Sequence, residues 1–224
     1  MSAPKASLDS GDLLRMVAAS AEEIAANAAE LSRLDAVAGD GDHGVNMTAA
    51  MAQAQSLAEA LPAATPSEVL GAVATACLEG AGGASGALFG SFFRGVAVGI
   101  GKGPEVDAAT LAEALAAGLH EVQRVGRAAA GDKTMIDALT PAVDAAMAAA
   151  RAGHRPGRLL TEAAGAARAG AEATRGLVPR AGRARYAAER SVGTQDPGAT
   201  AAALILEAWA RALGALKGDE RGGP

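Results

Sequence analysis

Apolar residues recur every three or four positions along almost the whole chain. In the first stretch Leu13, Val17, Ile24 and Leu31 share one face, with Leu14 and Leu34 beside them, while Glu22, Glu23 and Arg33 lie mostly elsewhere. Leu111, Leu115, Leu119, Val122 and Val125 make a second stripe, and Leu206, Trp209, Leu213 and Leu216 a third. No stretch alternates β-branched and polar residues with period two, so strands are not expected. Breakers divide the pattern into about eight helices, near 10–37, 44–60, 66–80, 85–99, 107–129, 133–151, 157–176 and 198–216. Most connections are short, which predicts antiparallel neighbours in an all-α, eight-helix, up-and-down bundle or barrel. The exception is 177–197, "LVPRAGRARYAAERSVGTQDP", too long and too arginine-rich for a passive turn.

In such a bundle every second loop lies at the same end. The loops of one set contain "AGDGDHG", "EGAGGASG", "GDKT" and "RSVGTQDPG"; those of the other, "LPAATPS", "GIGKGPEVD" and "AGHRPG", read as ordinary spacers. The unusual polar and glycine chemistry therefore converges on one end. Four helix N-termini converge there too, and their unpaired N–H groups and positive dipole ends favour phosphates.

Half of the residues are hydrophobic but only 2% are aromatic, so alanine and leucine fill a core suited to closely packed helices. A formal net charge of −5 leaves no nucleic-acid footprint, although arginines cluster between Arg175 and Arg190. The single cysteine, Cys77, rules out an internal disulfide and reads as a buried small hydrophobe. The N-terminus "MSAPKASLDSGD" has no apolar signal region, and no run approaches about 18 apolar residues unbroken by glycine or charge. The expectation is a soluble, cytoplasmic protein without a membrane partner. No repeat or low-complexity linker splits the chain, which predicts one domain over 1–224, ordered over about 8–216, with a frayed tail "KGDERGGP".

Asp35, Asp40 and Asp42 stand out in "LDAVAGDGDHGVNM". One aspartate there would read as a helix end and a polar turn. Three held together repel unless a cation compensates them, and a hard divalent ion such as Mg2+ fits, with phosphate oxygens completing its coordination. An EF-hand is excluded, since Val45 and Met51 fall where its glycine and bidentate glutamate belong. The glycines of "EGAGGASGALFG" allow close backbone approach to a ligand, with Ser85 as a candidate helix cap; tight helix packing explains them equally. "GDKT" is not a Walker A loop, and the lack of strands removes a dinucleotide-binding fold. Asp132 reads as a helix cap as readily as a site residue, and Asp196 before "PGAT" reads as an N-cap. Arg190 has the chemistry to clamp a phosphate. Arg180, Arg183 and Arg185 read as solvated or as parts of a lid. Trp209 reads as core, and Tyr186 stays open.

Four motifs, "LDAVAGDGDHGVNM", "GGASGALFGSFFRG", "GDKTMIDAL" and "ERSVGTQDPGATA", resemble in order the nucleotide-binding L subunit of bacterial dihydroxyacetone kinase. The resemblance spans nearly the whole chain and implies an eight-helix antiparallel barrel capped by a lid, here about 177–195. It implies that Asp35, Asp40 and Asp42 hold two Mg2+ ions bridging the phosphates of ADP or ATP. His43, Asn46, Gly83, Ala84, Ser85, Gly131, Thr134, Met135, Arg190, Asp196 and Gly198 match nucleotide contacts, with Arg190 also catalytic. The implied partners are a K-type subunit that binds the ketone, an M-type phosphotransferase-system protein that rephosphorylates ADP, and, as an open alternative, a second copy in a homodimer. His43 sets the chain apart from a related fatty-acid kinase family, which has "DGDTG" in the first motif. No histidine stands free beside the phosphates: His43 belongs to the first motif, His120 falls mid-helix and His154 lies at the opposite end. The ketone site is therefore expected from a partner. The alternatives are an L-type subunit of an ATP-dependent kinase for another ketose such as erythrulose, and a nucleotide-sensing module without turnover.

Overall fold

A computed structural model of the chain describes residues 5–61 and 64–214. The stripes form the helices they predict: α1 Ser10–Ala26, α2 Ala28–Ala36, α3 His43–Glu59, α4 Pro66–Gly80, α5 Gly83–Ile100, α6 Ala108–Gly126, α7 Ile136–Arg151, α8 Pro156–Ala173, a short α9 Ala188–Ser191 and α10 Pro197–Ala212. The expected frayed tail lies outside the described residues, whereas α10 ends at Ala212, short of the expected 216, and Gly214 turns the chain at φ +72°. The long helices neighbour one another around a closed ring, α1–α3–α4–α5–α6–α7–α8–α10 and back to α1. This is the antiparallel all-α barrel that short connections imply. Buried Trp209 closes the ring by donating its Nε1–H to Ser20 Oγ at 3.0 Å, and Arg211 pairs with Glu23 across the same α10–α1 seam.

Small residues set the helix spacing. A Cβ on Gly95 of α5 would stand only 2.7 Å from Gly118 Cα of α6, so these two helices meet backbone to backbone. α5 is long and apolar enough to span a membrane, but it is packed between α4 and α6 as a wall of the barrel. Burial pushes the Cys77 thiol up to about 12, which makes it the inert hydrophobe that its surroundings suggest.

The first predicted helix, 10–37, is two helices. Asn27 leaves helical geometry (φ −104°, ψ 8°), and its side-chain amide donates to Glu23 O at 2.8 Å. Asparagine competes in this way for its own helix's carbonyls. The break lets α2 pack against α3 and α10 and carries Asp35 to the barrel end. The predicted helix 133–151 begins later, at Ile136, because Lys133 takes a left-handed φ of 60°. Contrary to the expectation of no strands, β1 (Ser7–Leu8) pairs antiparallel with β2 (Val106–Asp107), tying the N-terminal segment to the α5–α6 connection. The connection from α8 to α10 contains 3-10 turns at Thr174–Gly176 and Arg183–Ala187 and the short α9.

At each barrel end some helices begin with a side-chain cap and some without: α8 starts uncapped at the spacer end, and Asp196 caps α10 at the polar end. Away from the polar loops, α1, α4 and α6 are capped by the side chains of Asp9, Thr65 and Asp107. At the polar end α3 and α5 start with no side-chain cap. Their first N–H groups are left for something else.

Candidate functional site

The α2–α3, α4–α5, α6–α7 and α8–α10 connections meet around an open cleft. The first of them is wound around one carboxylate. Asp35 ends α2; its carbonyl accepts the Gly39 N–H at 2.6 Å and its Oδ2 the Gly41 N–H at 2.8 Å. Gly41 completes the turn at φ +79°. The loop thereby returns Asp40 and Asp42 to Asp35, with one carboxylate oxygen from each within 4.8 Å of the others. Asp35 is half-buried and the other two are exposed. An all-oxygen, all-carboxylate donor set of this span fits a hard divalent cation such as Mg2+. Gly44 permits the arrangement, because a Cβ there would fall 1.9 Å from Ala28 O and push α3 off α2.

His43 opens α3 and is buried, its Nδ1 lying 3.0 Å from Ser85 Oγ. That contact joins the acidic loop to the first turn of α5. Ser85 sits within this turn, so the expectation of a capping serine is corrected: the helix already starts at Gly83. Asn46 lies one turn along α3, beside the α4–α5 connection, where a Cβ on Gly82 would be 3.8 Å from its Nδ2.

In the α6–α7 connection the organising acid is Asp137. Its Oδ1 accepts the Gly131 N–H and its Oδ2 the Thr134 N–H at 2.8 Å. Asp132 accepts the Ala129 N–H, so it does not cap α7. Lys133, in the middle of this turn, is 3% exposed and donates to three backbone carbonyls. Burial pulls its ammonium below the usual lysine range, with Asp196 pulling back up. Asp196 is the N-cap of α10, its Oδ2 accepting the Ala199 N–H at 2.7 Å, and it also lines the cleft. Protein surrounds its carboxyl except where it meets the cleft, and this burial pushes it up to about 7 against the pull of the Ala199 N–H.

Of the residues singled out from sequence, Asp35, His43, Ala84, Ser85, Thr134, Met135, Asp196 and Gly198 line the cleft. Asp40 and Asp42 flank Asp35, while Gly83 and Gly131 lie in the adjoining turns with positive φ. Arg190 is exposed on α9 and does not line the cleft. Sequence reasoning missed Lys133 and Asp137, though both stand in the quoted "GDKTMIDAL". It also missed an apolar wall of Leu34, Leu88 and Phe89 and the contribution of Ala181, Gly182 and Ala184 from the α8–α10 connection. The acidic triad calls for a cation and the open ends of α3 and α5 for an anion. A metal-bound polyphosphate satisfies both.

An antiparallel α-barrel with its polar chemistry gathered at one end defines the class of protein. The chain belongs to the DAK2 family, whose DAK2 domain matches residues 37–211. It is 38% identical over 211 residues to an L-erythrulose 1-kinase of Mycolicibacterium smegmatis, covering 92% of this chain and 37% of that one. It is 37% identical over 116 residues to the ADP-binding subunit DhaL of a PTS-dependent dihydroxyacetone kinase of Lactococcus lactis, covering 52% of this chain and 58% of that subunit. A dihydroxyacetone kinase from C. freundii, solved in complex with AMP-PNP and Mg2+, superposes with a TM-score of 0.69 at 30% identity, covering 94% of this chain and 35% of that one. The chain thus spans only about a third of the erythrulose kinase and of the solved kinase.

Proposed function

We propose that this chain is the nucleotide-binding part of a ketose kinase, acting as a DhaL-type ADP-binding subunit in a cytoplasmic complex. The observation that carries the reading is the meeting of Asp35, Asp40 and Asp42 with the uncapped N-termini of α3 and α5 at one cleft. Asp35, Asp40 and Asp42 would hold Mg2+, in two ions on the family pattern, which supplies charge neutralisation for the phosphates of ADP or ATP. The α3 and α5 N–H groups orient phosphate oxygens, and His43, Asn46, Gly83, Ala84 and Ser85 shape that pocket. Leu88, Phe89 and Met135 offer an apolar wall for the base, with Gly131, Thr134, Asp196 and Gly198 around it. The segment 177–195 is the lid, and its closure brings Arg190 over the phosphates.

In the transfer, the bond between the γ-phosphorus of ATP and its β–γ bridging oxygen breaks and ADP leaves. A bond forms from that phosphorus to a ketose hydroxyl oxygen, whose proton passes to a base on the K-type partner or to water. The contribution of this chain is positioning and charge stabilisation. The reading assigns dihydroxyacetone to a K-type partner and the phosphoryl supply to an M-type phosphotransferase-system protein. It does not extend to a homodimer.

The 38% identity to an L-erythrulose 1-kinase over 92% of the chain favours a second reading, an ATP-dependent kinase of another ketose. Calorimetry with ADP, with and without Mg2+, tests the common ground: tight binding is expected only with the cation. Turnover assays with dihydroxyacetone and erythrulose, with either ATP or a phosphotransferase system as donor, then separate the readings when a K-type protein is supplied. Binding of ADP unaffected by Mg2+, or robust turnover by the isolated chain, would overturn the proposal.

A further inference from the structure

The sequence and the proposed chemistry leave Lys133 without a task, yet it is the one buried lysine among the described residues. It stands beside a cleft suited to phosphates, where a lysine ordinarily serves as a cation for the ligand. Its geometry excludes that use. An ammonium has three N–H donors, and all three are taken: by Thr174 O at 2.6 Å, Ser191 O at 2.9 Å and Thr194 O at 2.7 Å. None remains for a phosphate oxygen.

The three acceptors define the task instead. Thr174 is at the first foot of the α8–α10 connection, where α8 ends; Ser191 and Thr194 are at the second foot, just before α10. The feet also meet directly, through the Gly193 N–H to Arg175 O at 2.8 Å and the Asp196 N–H to Thr174 Oγ1 at 2.9 Å. Lys133 fastens this joined base to a third element, the turn before α7. That turn is held firmly enough to keep a lysine at φ 60°, because Asp137 accepts from Gly131 and Thr134 on either side of it. Thr194, Gln195, Asp196 and Gly198, which follow the second foot, form one wall of the cleft.

We propose that Lys133 is a positioning residue: its ammonium ties both feet of the α8–α10 connection to the α6–α7 turn and so holds the Thr194–Gly198 wall in register for the nucleotide. The nucleotide half of this inference rests on the function proposed above; the tie itself does not. Removing the ammonium takes a donor from each of the three carbonyls, leaving Thr174 O with the Leu177 N–H at 3.1 Å and Ser191 O with the Thr194 hydroxyl at 2.8 Å, and the base of the connection opens to water while the barrel stays closed.

The test uses the full chain with Lys133→Met, and with Lys133→Asn, which tolerates the left-handed turn but is too short to reach the three carbonyls. Hydrogen exchange is followed by residue-resolved NMR without nucleotide, and Mg-ADP affinity by calorimetry. Both variants are expected to exchange the Gly193 and Asp196 amides at least tenfold faster, to keep wild-type rates in α3 and α6, and to bind Mg-ADP at least tenfold more weakly. Unchanged exchange at Gly193 and Asp196 overturns the tie. Acceleration spread equally through α3 and α6 also overturns it, since it marks a general stabilising role. Local acceleration with unchanged Mg-ADP affinity overturns the positioning. If the wild type itself does not bind Mg-ADP, the nucleotide reading and the positioning fall together, while the exchange comparison still decides the tie.

Discussion

Replacing Asp40 by asparagine separates a metal ligand from a structural turn residue. The three carboxylates of the acidic loop lie within 4.8 Å of one another, so three charge pairs repel when no cation is bound. In water-like surroundings each pair costs about 0.9 kcal/mol at that separation. Asp40→Asn deletes two of the pairs, and screening at physiological salt reduces their combined cost to about 1 kcal/mol. The side chain keeps its shape, and the Asp35 bonds that wind the loop do not involve it. For a chain of this size about 1 kcal/mol corresponds to a rise in melting temperature of about 2–4 °C. Differential scanning calorimetry in chelator should show that rise at physiological salt, and it should shrink at about 1 M salt, where charges are screened over about 3 Å. Added Mg2+ should then raise the wild-type melting temperature and the variant's much less. A variant that melts lower than wild type in chelator would show that Asp40 holds the turn rather than a cation. Equal gains with Mg2+ would refute its role as a ligand.

Two further substitutions probe the surroundings. Gly44→Ala places a Cβ 1.9 Å from Ala28 O, and the overpacking should cost about 1–3 kcal/mol, read as a lower denaturation midpoint in urea; an unchanged midpoint would mean that α2 and α3 separate freely. Burial raises the Asp196 carboxyl from its ordinary 3.8 to about 7. Its contribution to stability is therefore complete below about pH 4 and is lost as pH rises through 7. Asp196→Asn keeps an acceptor for the Ala199 N–H but cannot ionise, so without metal or nucleotide it should gain on wild type steadily between pH 4 and 8 in urea titrations; parallel curves would contradict the buried, neutral acid.

Much of the architecture was legible because its causes are local. The stripe through Leu111, Leu115, Leu119 and Val122 specifies α6 by spacing alone, and all four are buried. Short connections then force the loops to alternate between ends, which is why the sequence alone puts the four polar motifs together. The acidic loop was legible for the same reason: Asp35, Asp40 and Asp42 are close in sequence, and a tight turn is enough to bring their carboxylates together.

What escaped depends on partners far along the chain. Asn27 reads as one more polar position in a helix, and only packing against α3 and α10 makes its break useful. Asp132 and Asp137 are both acids near a helix start, and the fold of the turn selected Asp137. Arg190 has the right chemistry, but its helical turn leaves it outside the cleft. Lys133 is the extreme case, since its acceptors lie 41, 58 and 61 residues away and all are main-chain carbonyls. Every residue carries a carbonyl, so no side-chain pattern marks which ones a buried ammonium will find. The sequence determined the helices and which loops share an end; tertiary packing alone decided which backbone oxygens face one another across that end.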